Sequence, residues 1–78
     1  MKEELSPEAV ERMLNSYPTA PEEIKLLILE TIEGLLPELI IGLREKHPWL
    51  ATYTNSEGDF TFIMSLTISI LRLRTKLD

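Results

Sequence analysis

The chain has 78 residues, a net charge of −5, no cysteine and one histidine, so disulfides, thiolate metal sites and histidine-built metal clusters are excluded. That length admits one domain, 1–78, whose single core leaves little net stability without help from a partner. Acidity on this scale opposes nonspecific nucleic-acid binding, which rests on neutralising phosphates, and no nucleic-acid partner is expected.

At the start of the chain, Glu3 and Glu4 stand where a signal peptide would need an apolar run, so no export signal is expected. Small secreted domains are usually disulfide-rich, so a small chain without cysteine is expected in the cytoplasm rather than secreted. Ser6-Pro7-Glu8 is a helix start: the serine oxygen can take an orphan N–H, proline suits the first helical position, and glutamate suits the positive end of the dipole. Val10, Met13, Leu14 and Tyr17 follow at i, i+3, i+4 and i+7, which predicts a short amphipathic helix over 7–16, stopped by Pro18.

Thr19 and Glu22 have capping-box spacing and predict a second helix over 20–46. Twelve of the twenty positions from Ile24 to Leu43 are Ile or Leu, an apolar surface wider than the stripe of about 100° on a surface helix. This stretch is expected to supply the core. Glu30, Glu33 and Glu38 interrupt it, so no membrane span is expected. Arg44, Lys46 and His47 suit the carbonyl end of the helix, and Pro48 ends it. Pro37 cannot donate to the carbonyl of Glu33, so a kink or break is expected there.

The connection over 48–59 gathers turn-formers at its end: Asn55, Ser56, Gly58 and Asp59. Trp49 and Tyr53 are bulky for a loop. They either cap the open end of a bundle or anchor a partner.

Two periods fit the last segment. Phe60, Phe62, Met64, Leu66, Ile68 and Ile70 alternate with polar residues as a strand would, Ile63 being the one exception, whereas Ile63, Leu66, Ile70, Leu73 and Leu77 keep a 3-4-3-4 spacing as a helix would. The helical pattern reaches the chain end; the alternation does not. Ser56 and Asp59 as a capping motif, and Arg72, Arg74 and Lys76 near a carbonyl end, favour a helix over 58–77. A lone strand would also find only a marginal hairpin partner. The expected fold is therefore all-α: a short N-terminal helix plus a long helical hairpin, its central helix kinked near Pro37, assembling into an oligomeric bundle. The alternative is α+β with a C-terminal β-hairpin.

No chemistry-bearing pattern stands out on this frame. His47, beside a proline at a helix end, has no catalytic or metal-binding companion. No serine has a nucleophile-elbow context. The glutamates lack the Glu-x-x-His companions of a carboxylate metal site, and Gly34, Gly42 and Gly58 are isolated rather than set in a phosphate loop. No catalytic, cofactor-binding or metal-binding residue is expected, and the chain is not expected to be an enzyme. The expected function is that of a small acidic interaction protein that self-associates and binds or blocks a macromolecular partner. A phage or mobile-element inhibitor is the example its size and character suggest. Candidate partner-binding residues are Trp49, Tyr53, Arg72, Arg74 and Lys76. The alternative is a small-ligand or sequestering protein with a pocket lined by Trp49, Tyr53, Phe60 and Arg72. Self-association, most simply as a dimer, is expected because one protomer sets only Val10, Met13 and Leu14 against the apolar surface of the rest.

Overall fold

A computed structural model describes residues 6–77; Glu3 and Glu4 lie outside the described residues. The chain forms four α-helices, α1 (Pro7–Ser16), α2 (Glu22–Glu33), α3 (Pro37–Lys46) and α4 (Phe62–Leu77), with 3-10 turns at Tyr17–Thr19 and Pro48–Thr52. Among the described residues there is no strand, only an isolated antiparallel bridge between Thr54 and Phe60. The architecture is all-α. No described helix is long and apolar enough to cross a membrane.

Local chemistry sets most of these boundaries. At α1 the Ser6 hydroxyl oxygen accepts the Ala9 N–H at 3.1 Å, and Pro7 occupies the first turn, as the capping rules require. Leu14 buries the helix in the core. The expected capping box of Thr19 and Glu22 does not form. Thr19 is drawn into the 3-10 turn, where its hydroxyl donates to the Ser16 carbonyl at 3.4 Å. The extended Pro21 precedes α2 instead, with no side-chain cap; Glu22 and Glu23 still favour its positive end.

The expected 20–46 helix is two helices. Gly34 and Leu35 close α2 with N–H bonds to Thr31 and Ile32. Leu36 is then extended, with ψ 149, because proline disfavours the helical conformation in the residue before it. Pro37 opens α3 at the position where its missing N–H costs nothing. The same rule ends α3, where His47, before Pro48, leaves helical geometry at ψ 83.

Between the second 3-10 turn and α4, the Asn55 side chain accepts the N–H groups of Glu57 and Asp59, each at 2.9 Å. The Asn55 N–H donates to the Asp59 carbonyl at 2.8 Å. Gly58 completes this turn in left-handed conformation, φ 85, tight against the carbonyl of Pro37. The expected hairpin alternative survives only as this turn and the Thr54–Phe60 bridge, and the expected Ser56/Asp59 cap is part of the turn rather than of the helix start. From Phe62 onward the chain is helical.

Leu14 from α1, Tyr17 from the first 3-10 turn, Ile28, Leu29 and Ile32 from α2, Ile40 from α3, Leu50 from the second 3-10 turn, and Met64, Ile68 and Leu71 from α4 form one core. Helices α2 and α4 make the main helix pair. On α4 the core residues recur at i, i+4 and i+7, one helical face.

Candidate interaction surface

The structure divides the predicted partner-binding residues into two groups. Trp49 is half-buried and stacks on Tyr17, with ring centroids 4.2 Å apart and planes 7° from parallel. Tyr53 meets both rings edge-on, at 6.3 and 6.0 Å, and its hydroxyl lies 3.2 Å from that of Tyr17. Lys25 places its ammonium 5.4 Å from the Tyr17 ring centre, a cation–π distance. This cluster ties the end of α1 to the segment following α3. Burial, with the Tyr53 hydrogen bond second, pushes the Tyr17 hydroxyl well above its ordinary 10.0. The neutral Tyr17 therefore contributes stability that is complete below about pH 10 and lost as the pH rises further.

The cationic residues lie on α4. Arg72 donates from Nε and Nη2 to Glu30 at 3.0 and 2.9 Å, and Arg74 pairs with Glu22 at 2.8 Å. Both pairs are solvent-exposed and contribute at most about 1 kcal/mol each; they fasten α4 along α2. Lys76 is exposed and has no ion pair among the described residues.

A third polar contact holds α1. His47 is buried, and its Nε2 lies 3.0 Å from Glu11 Oε1, while Lys46 Nζ approaches the other oxygen at 3.4 Å. The His47 hydrogen bond is the main cause that holds the Glu11 carboxyl below its ordinary 4.5. A carboxyl depressed on folding contributes stability above its unfolded pKa and loses it as pH falls through the folded value. Wild type should therefore lose more melting temperature than Glu11→Gln between pH 5 and pH 3. Identical acid profiles would show that the contact contributes nothing.

The outer face of α4 is an exposed apolar surface. The 3-4-3 series Ile63, Leu66, Ile70 and Leu73 turns away from the core, with Phe62 75% exposed at its head. Helix α4 is thus apolar on two opposite faces: Met64, Ile68 and Leu71 face inward, and the longer series faces out. Ser65, Ser69, Arg72 and Lys76 separate the two faces along one side. Sequence spacing contained this outer series, but its regularity alone does not say which face meets the core.

A groove of about 390 Å³ runs between α1 and α3, lined mainly by Val10, Leu35, Leu39 and Leu43, with Glu11, Glu38 and Lys46 among its polar members. Trp49, Tyr53, Phe60 and Arg72 do not line it. Among the described residues no three acidic or histidine side chains converge as a metal site would require. Comparison with protein families, curated proteins and solved structures finds no match to this chain.

Proposed function

We propose that this chain is a small helical interaction protein that binds, and by binding can block, a macromolecular partner through the outer face of α4. The carrying observation is the series Ile63, Leu66, Ile70 and Leu73, four large apolar side chains in helical register, each at least 46% exposed. Scattered surface leucines need no explanation, but a continuous apolar stripe on a soluble fold marks an association surface. Helix pairing reads such i, i+3, i+7 anchors directly.

A photo-crosslinking residue in place of Ile70 tests this. In intact cells it should give one discrete adduct, absent when the same group replaces Asn15 on the polar side of α1. The absence of a discrete adduct, or equal adducts from both positions, would overturn the reading. The groove between α1 and α3 favours a second reading, a small apolar ligand. A compound retained in native mass spectra and displaced by Leu39→Glu would support it.

A further inference from the structure

We infer that the partner on the outer face of α4 is a second copy of this chain, laid antiparallel along it about a two-fold axis. The inference rests on the reading of that face as an association surface and names its occupant. Three observations carry it.

The first is register. The spacing Ile63, Leu66, Ile70, Leu73 reads 3-4-3 in either direction. A two-fold axis level with residue 68 therefore seats Leu66 on Ile70 of the other copy and Ile63 on Leu73 of the other copy. Both ends of the stripe are satisfied by the same contacts, as an isologous interface demands. The alternating steps of three and four are those that keep an apolar seam facing its partner helix.

The second is charge. Helix α4 carries Arg72, Arg74 and Lys76 near its end and no acid from Phe62 to Leu77, while Glu57 and Asp59 lie in the turn before it. Parallel pairing would gather all six cations at one end. The antiparallel register separates them and sets each Lys76 opposite residue 60 of the other copy, beside its Asp59. Both of these charged side chains are exposed, and neither has an ion-pair partner among the described residues. Opposed helix dipoles add to the preference.

The third is area. The five outer side chains, Phe62 included, offer on the order of 500 Å² per copy. Two copies then approach the roughly 1,000 Å² that a specific interface needs. No other surface described above provides its own complement in this way.

Sedimentation of the full chain at micromolar concentration should give a dimer. Leu66→Glu combined with Ile70→Glu should give a monomer with unchanged helical circular dichroism, its dissociation constant raised at least about a hundredfold. Orientation is read from cysteines, since the chain has none of its own. Under oxidation, Ile63→Cys mixed with Leu73→Cys should give the mixed disulfide, while Leu73→Cys alone should not dimerise covalently. A homodisulfide of Leu73→Cys would overturn the antiparallel arrangement. A wild-type dimer unaffected by the double glutamate variant would place the interface elsewhere and overturn the inference. A wild-type monomer whose photo-crosslink at position 70 captures a different macromolecule would also overturn it, leaving the association surface standing. A monomer with no discrete crosslink would remove both.

Discussion

Gly58→Ala should lower the unfolding free energy by about 3 kcal/mol or more, measured by urea denaturation. Two independent costs act at this position. Its φ of 85 is a conformation that side chains rarely adopt. A Cβ there would also stand 2.4 Å from the carbonyl oxygen of Pro37 and 2.9 Å from its carbon, both backbone atoms that no rotamer change can move. Gly42 supplies the control, since a Cβ there meets nothing within 4 Å. It lies inside α3, where alanine is the better helix former by about 1 kcal/mol, so Gly42→Ala should stabilise. Equal effects at the two glycines would refute the account of the Asn55–Asp59 turn.

The second large effect separates core leucines from face leucines within one helix. Leu29 is fully buried and Leu27 is 56% exposed, although both belong to the same apolar run. Leu29→Ala should cost about 2–5 kcal/mol, through lost transfer energy and the cavity left behind. Leu27→Ala should change stability by less than about 1 kcal/mol. A domain of this size has a total near the lower end of the usual 5–15 kcal/mol, so the first variant should be largely unfolded in mild urea while the second behaves as wild type. Similar midpoints would mean that the core has been misassigned.

What could be read directly from the residues was local. The Ser6-Pro7 start, the stop at Pro18, the interruption at Pro37 and the helical state of 62–77 all follow from chemistry within a few positions. The 3-4-3 series beginning at Ile63 persisted where the strand alternation failed, and the helix is real. Its direction was not legible, because α4 carries a second and shorter helical series, Met64, Ile68 and Leu71, and only packing against α2 selects between them. Pro37 marks where the central stretch is interrupted but does not by itself choose between a kink and a break; the extended Leu36 that the following proline requires makes it a break into two helices. Thr19 and Glu22 had the right spacing for a cap, but Pro21 between them sets an extended backbone that serves the same start. Contacts distant in sequence had no local signature. Glu11 with His47, Tyr17 with Trp49 and Gly58 with Pro37 arise from the fold as a whole. The partner-binding candidates separate accordingly, with the aromatics engaged at the α1 junction and two of the three cations engaged along α2.

The aromatic stack also provides the protein with an optical reporter. Trp49 is the only tryptophan, and its indole lies flat on Tyr17, the residue where α1 ends. Its emission therefore follows the seating of one short helix, while far-ultraviolet dichroism follows all four. Coincident curves from the two signals would mark α1 as part of the single cooperative unit. An earlier shift in emission would mark a partly open state in which α1 has left while α2 and α4 remain paired, with the buried side of Leu14 and the outer leucines of α4 open to solvent together.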